Sequence, residues 1–263
     1  MEPKPKVVIL CGGKGIRLSA FADNTPKPLV PVGEKPILWH VMKLYSYYGF
    51  RDFVLALGYK GDLIVEYFER YKQLNCDYTM TMDQSKGRDF HTSLPPDEQE
   101  WRITFAHTGE ETQTGGRIKR IARYVEGDTF LCTYADGVSN VNIDEVFRQH
   151  CSGPQDLTMV TVMLKSGYGL VASENGVATG FKEKPDRSVR INGGFFVCDR
   201  KVFDAIDSDE TAFEEEPMEG LVREGRVGVH PHDGFWQCMD TPKDYIKLNE
   251  LWEQGNPPWK IWD

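Results

Sequence analysis

Two kinds of side chain in this sequence are spaced for work on phosphates: cations around a glycine-rich turn, and carboxylates at the ends of apolar runs. Gly12, Gly13 and Gly15 surround Lys14, Arg17 follows, and Lys27 stands between Pro26 and Pro28. Glycine lets a backbone turn tightly and approach a ligand, and such a turn aims several backbone N–H groups at one point. Arg17 adds a planar fork that suits phosphate oxygens. The pattern implies an anionic, phosphorylated ligand. It is neither the dinucleotide fingerprint, G-x-G-x-x-G, nor the P-loop, which closes on Gly-Lys-Ser/Thr. A tight turn with no ligand is the other meaning of Gly-Gly-x-Gly.

Asp136 and Asp240 are the carboxylates that could hold a divalent cation. Each follows an apolar or aromatic run, Thr129–Tyr134 for the first and Phe235-Trp236 for the second, which aims it out of a strand end. Mg²⁺ takes oxygen ligands, commonly one or two carboxylates with phosphates and water. An Asp-Gly pair such as Asp136-Gly137 is equally a turn signal. The six cysteines are scattered without a C-x-x-C pair and read as reduced, packed side chains, Cys11 included. His230-Pro231-His232 reads as a surface turn, and Phe235-Trp236 as core or interface rather than a stacking platform.

The elements that must carry these residues follow from periodicity. The unbroken run Val7–Leu10 reads as a buried strand ahead of the glycines. Pro36 to Tyr48 reads as a helix, Phe53–Leu57 as a strand, and Leu63 to Tyr71 as an amphipathic helix. A strand is expected over 76–82, then a long loop over 83–99 that has the length of a lid. Trp101, Ile103 and Phe105 alternate as a strand, and Gly115-Gly116 opens a short helix. Strand 129–134 delivers Asp136 to its C-terminal end, where open α/β sheets bind ligands. Asn142 caps a helix to Cys151. Strands are expected over 157–164 and 193–198, with a hairpin over 168–182 turning at Glu174-Asn175-Gly176. Helices are expected over 200–206 and 214–223, and Thr241-Pro242 opens a last helix through Trp252. Alternating strands and helices predict an α/β fold: a Rossmann-like mixed, mostly parallel sheet with helices on both faces.

At 263 residues the chain is long enough for one domain, 1–263, with a substantial core. Its net charge of −9 and pI near 5.3 argue against a nucleic-acid or anionic-membrane surface. No apolar run approaches the length of a membrane span, and Met1–Pro5 lacks the apolar core of a signal peptide. A cytoplasmic protein is expected.

The motifs, taken together, resemble the sugar-1-phosphate nucleotidyltransferases. They are the glycine turn with Arg17, Lys27-Pro28, Lys35 to His40, Thr114-Gly115-Gly116-Arg117, Tyr134 to Val138, Ile191 to Phe196 and Gly234 to Thr241. They span nearly the whole chain, to the Pro258-Trp259-Lys260 tail, and are most similar to the branch that uses CTP. The resemblance implies the nucleotide-diphospho-sugar transferase fold. It implies that CTP and a sugar 1-phosphate, foremost α-D-glucose 1-phosphate, yield a CDP-sugar and pyrophosphate. It assigns Arg17 and Lys27 to catalysis. It assigns Leu10, Gly12, Gly13, Lys14, Gly15, Thr114, Gly115, Arg117 and Asp136 to the nucleotide, with Arg17 and Lys27. Gly169, Glu183, Lys184, Asn192 and Gly193 go to the acceptor, and Asp136 and Asp240 to Mg²⁺. A homo-oligomer is the implied assembly. Ile16 departs from the usual Thr or Ser, and Lys165 to Leu170 departs from the CTP-using pattern. A different phosphorylated acceptor, or a nucleotide-sugar-binding subunit without turnover, therefore stay open as alternatives.

Overall fold

The computed structural model describes residues 4–13, 25–83, 87–164, 170–174, 176–182 and 189–262. Seven strands form the central sheet: β1 (Val7–Cys11), β2 (Asp52–Leu57), β3 (Arg102–His107), β4 (Thr129–Tyr134), β5 (Leu157–Leu164), β6 (Val189–Asp199) and β7 (Val227–His232). Their order is β7-β5-β6-β4-β1-β2-β3. All neighbours run parallel except β6, which is antiparallel to both β5 and β4. The expected mixed, mostly parallel sheet is the one observed.

Among the described residues, six helices of eight residues or more pack around it: α1 (Ile37–Tyr47), α2 (Gly61–Glu69), α3 (Thr114–Ile121), α4 (Ile143–Ser152), α5 (Glu216–Arg223) and α6 (Pro242–Glu253). The period of two along each strand divides the core between the two faces of the sheet. Val7, Ile9, Phe53 and Leu55 turn toward α1, whereas Val8, Leu10, Val54 and Ala56 turn toward Ile118 and Ile121 of α3. Strands buried on both faces must be apolar throughout, which explains the unbroken runs. Helix α1 is buried from Ile37 to Ser46. One side of it covers the sheet, and Trp259 and Trp262 of the C-terminal tail pack near Trp39 and His40 on another. The ends of α4 and α6 follow side-chain caps. Asn142 accepts from the Glu145 N–H, and Thr241 forms a reciprocal capping box with Asp244.

Two expectations are corrected. The stretch 83–99, expected to be a loop, contributes a strand at Arg88–Phe90 paired with Tyr78–Met80, and a helical turn at Pro96–Gln99. The turn is held because Lys43 of α1 reaches Asp97 at 2.6 Å and Tyr71 donates to Glu98 at 2.8 Å. Long-range pairing there overrides a local composition of prolines and polar residues. His230-Pro231-His232 is not a turn but the end of β7. As an edge strand paired only with β5, β7 has a side on which a missing proline N–H costs nothing.

After β1 the chain adds β2 and β3 on one flank, then returns to place β4 on the other. The order reverses between β1 and β4. In open α/β sheets a crevice opens at such a switch point, beyond the C-terminal strand ends.

Candidate active site

The C-terminal ends of β1 and β4 deliver Gly12-Gly13 and Asp136 side by side, with Leu10 paired to Tyr134. Beyond Asp136, Gly137–Ser139 forms a short antiparallel ribbon with Trp236–Cys238. The Met239 N–H donates to the Asp136 carbonyl at 2.9 Å, so Asp240 emerges beside Asp136 although 104 positions separate them in the chain. Lys27 opens a single 3₁₀ turn, Lys27–Leu29, preceded by Pro26 and containing Pro28. Its ammonium donates to Asp136 Oδ2 at 2.5 Å and to Asp240 Oδ1 at 2.6 Å. Burial would by itself lower the pKa of this lysine. The two carboxylates outweigh burial and hold it above the ordinary lysine value, so it is an ammonium at neutral pH.

Asp244 steadies this junction from the first turn of α6. One of its oxygens accepts from the backbone N–H groups of Asp240 at 3.2 Å and Thr241 at 2.9 Å, and the other accepts from Gln237 Nε2 at 2.9 Å. Gln237 Oε1 in turn accepts from Lys247 at 2.5 Å.

Two cavities meet at Tyr134 and Asp136. The first, of about 390 Å³, lies against the ends of β1 and β4 and the loop before α3. Leu10, Gly12, Gly13, Lys27, Thr114, Arg117 and Asp136 all border it, which brings together seven of the residues assigned to the nucleotide. Among the described residues, a methyl group on Gly13 would meet nothing within 4 Å. The second cavity, of about 690 Å³, lies over β6 and the ribbon, and Asn192, Gly193, Asp136 and Asp240 border it. Lys14, Gly15, Arg17, Gly169, Glu183 and Lys184 lie outside the described residues.

Arg117 and Gly115 hold positions that the motif alone did not reveal. Arg117 is buried, and its guanidinium binds main chain. It donates to the carbonyls of Gly109 at 2.7 Å, Glu110 at 3.1 Å, Gly12 at 3.2 Å and Leu57 at 3.2 Å, and to Thr108 Oγ1 at 2.8 Å. It therefore ties the end of β1 to the loop before α3. A Cβ on Gly12 would sit 2.0 Å from its Cζ, and one on Gly58 2.3 Å from Nη1. These glycines make room for the arginine. Gly115 faces away from the cavity: its Cβ would stand 2.6 Å from the Thr211 carbonyl oxygen. It is small because the backbone at 211–213 packs on it.

Trp236, expected in the core or an interface, packs against the core and also forms a wall of the larger cavity. Its indole N–H donates to the Gly193 carbonyl at 2.8 Å, fixing the ring against the β6 backbone. Tyr134 and Gln237 lay in the motifs without a role, and Lys247 was not singled out in the sequence. Tyr134 could have been given one, since a residue two before Asp136 at a strand end shares its face. Lys247 stands three after Asp244 on the helix that follows Asp240, another readable spacing. Burial of Cys11 pushes its thiol far up, against the lowering effect of Arg117, which agrees with a packing role.

Residues 6–255 match the family model described as Nucleotidyl transferase, and the chain belongs to that family. It is 42% identical over 260 residues to the glucose-1-phosphate cytidylyltransferase of Salmonella typhi, covering 98% of this chain and 100% of the relative. The enzyme of the same name from Salmonella typhimurium gives the same identity and coverage. Among solved structures, HddC from Yersinia pseudotuberculosis complexed with GMP-PN superposes with a TM-score of 0.68 at 22% identity, covering 95% of this chain and all of that one. At that identity the likeness establishes the fold. No described helix is long and apolar enough to cross a membrane.

Proposed function

We propose that this protein joins CTP and α-D-glucose 1-phosphate, giving CDP-glucose and pyrophosphate. The observation that carries the proposal is the meeting of Lys27, Asp136 and Asp240 where a smaller and a larger cavity adjoin. The near-complete likeness to two glucose-1-phosphate cytidylyltransferases supports the choice of substrates. CTP takes the cavity beside the glycine turn, and the sugar phosphate takes the larger one.

The two carboxylates fit a magnesium ion. They are hard oxygen donors that converge closely enough to reach one nitrogen, and Mg²⁺ commonly uses one or two carboxylates. A Mg²⁺ ion held there would supply charge neutralisation to the reacting phosphates. Asp136 and Asp240 would hold it, and Asp244 fixes the backbone of Asp240.

An oxygen of the acceptor phosphate attacks the α-phosphorus of CTP. The new O–P bond forms as the bond to the bridging oxygen breaks, and pyrophosphate leaves with that electron pair. The acceptor is already an anionic nucleophile, so no covalent enzyme intermediate is needed. Lys27 offers an ammonium to the charge that grows on the phosphoryl oxygens, a service of position and electrostatics. Arg17 adds a second cation there. Lys184 aligns the acceptor phosphate, Glu183 takes sugar hydroxyls, and Gly169, Asn192 and Gly193 border the sugar. A cytoplasmic location belongs to the same proposal.

Pyrophosphate release, screened over the four NTPs and a set of phosphorylated acceptors with Mg²⁺, tests this reading. CTP with glucose 1-phosphate is the pair expected to turn over fastest. Preference for another acceptor would reassign the larger cavity, and release with no pair would leave a binding subunit.

A further inference from the structure

Among the described residues, Tyr134 and Asp136 alone border both cavities. Asp136 is accounted for by the metal and Lys27. Tyr134 is not, yet its ring is the partition between the two spaces. The ring sits where Gly194 has no side chain. Gly194 has φ +79°, and a Cβ there would stand 2.6 Å from Tyr134 Cδ2. Its edge meets Phe196, whose ring in turn meets Phe213 at 5.9 Å between centroids. Gly194 is itself held, its N–H donating to Asn192 Oδ1 and its carbonyl accepting from Thr133, both at 2.8 Å. The acceptor-side wall thus leans on the Tyr134 ring.

The phenol of Tyr134 does not end in the cavity. It donates to Glu214 Oε1. The other oxygen of the same carboxylate accepts from Thr114 Oγ1 at 2.6 Å, and that hydroxyl accepts from the Phe213 N–H at 2.9 Å. Thr114 begins α3 and borders the smaller cavity. The segment that carries Glu214 is fastened to the same helix start. The Gln113 N–H donates to the Asp209 carbonyl at 2.8 Å, and Asp209 pairs with Arg120. One carboxylate therefore spans the partition ring and the edge of the nucleotide cavity.

We infer that Glu214 couples the two half-sites. A nucleotide that presses on the 110–114 loop moves Thr114, and through Glu214 it moves the ring against which the acceptor wall rests. The converse follows by linkage, because the same free energy must appear from either side. Glu214 is exposed and lines neither cavity, so it is a positioning residue. The inference rests on the assignment of CTP and a sugar phosphate to the two cavities.

The test measures glucose 1-phosphate binding by calorimetry with Mg²⁺. It is done with and without a CTP analogue bearing a methylene between the α- and β-phosphorus. In the wild type the analogue should change acceptor affinity by about fivefold or more. In Glu214→Ala and Tyr134→Phe that factor should fall to within about twofold of unity, with the melting temperature nearly unchanged. Glu214→Gln should keep most of it, because its carbonyl accepts from Tyr134 and its amide donates to Thr114. Coupling that persists in Glu214→Ala overturns the inference, as does its full loss in Glu214→Gln, which would make charge the cause. A wild type that turns over both substrates without coupling overturns it while leaving the assigned reaction standing. A wild type that binds neither ligand overturns the reaction, and the inference with it.

Discussion

The two cavities share a wall but are built from different material. The smaller one is lined by strand ends and a loop whose carbonyls Arg117 gathers. Main chain tied by one buried cation forms part of its wall. The larger one draws on β4, β5, β6, the 236–238 ribbon strand and α6, and its walls are side chains such as Met163, Ile191, Trp236 and Gln237. A main-chain wall tolerates most surface substitutions and keeps one ligand. A side-chain wall changes its ligand with a few substitutions. Acceptor choice is therefore the property expected to vary on this fold, and triphosphate handling the property expected to hold.

The junction serves both sides, so breaking it should abolish the difference. Asp136→Asn and Asp240→Asn should each lower turnover by about a thousandfold or more, since each removes charge from the metal and from Lys27. Pyrophosphate release over a Mg²⁺ titration is the check. Near-normal activity of either variant at limiting Mg²⁺ would take that aspartate out of the metal site. Lys27→Ala should cost roughly a hundredfold in kcat with a smaller rise in the KM for CTP, the pattern for a charge used mainly in the transition state. A pure KM effect would move Lys27 to ground-state binding.

The next two substitutions separate the sides. Arg117→Lys cannot span both walls, because one ammonium has three donors at a point and the guanidinium has a fork. CTP affinity should fall by about tenfold, equivalent to ~1.4 kcal/mol, with acceptor affinity unchanged. Calorimetry on each ligand decides. Equal losses for both would mean that Arg117 supports the fold as a whole. Trp236→Phe should do the opposite. It removes the bond to the Gly193 carbonyl, worth ~1 kcal/mol, so acceptor KM should rise about fivefold while the KM for CTP stays within twofold.

What the sequence disclosed divides along the same line. The glycine turn, Lys27 and Asp136 were legible because each is local: a run of apolar residues, then a punctuating residue at a strand end. The meeting of Asp136 with Asp240 was legible only through resemblance, since the ribbon that joins them, Gly137–Ser139 with Trp236–Cys238, is three residues long. No periodicity shows in three residues. Arg117 was assigned to the nucleotide because Thr-Gly-Gly-Arg resembles such a contact, and it does border that cavity, but its hold on main chain was not legible. Its partners are carbonyls of residues 12, 57, 109 and 110, and backbone acceptors leave no trace in composition. The 83–99 stretch misled for the converse reason: its order comes from Lys43 and Tyr71, which lie far from it in sequence.

The smallest effect on catalysis should come from a cluster outside both cavities, which makes it the control. His40 in α1 is buried among Trp39, Trp252 and Trp259, with ring centroids 5.0, 4.9 and 6.0 Å away. Its Nε2 lies 2.9 Å from the Val32 carbonyl and must donate to it. Its Nδ1 therefore accepts the Trp259 indole N–H at 3.3 Å. That tautomer is neutral. Burial lowers the pKa to about 4, against the Val32 bond, which favours the charged ring. The folded pKa lies below the unfolded one, so this histidine's share of stability is complete above about pH 6.5. It is lost as pH falls toward 4. The drop from 6.5 to about 4 corresponds to ~3 kcal/mol. His40→Gln keeps a donor and an acceptor without a titrating group. The loss of unfolding free energy between pH 7.5 and 4.5, measured by urea, should be smaller in that variant by roughly 2–3 kcal/mol. At pH 7.5 its kcat and both KM values should match the wild type. A shift in either KM there would mean that the tryptophan cluster reaches one of the cavities, and the side affected would show which.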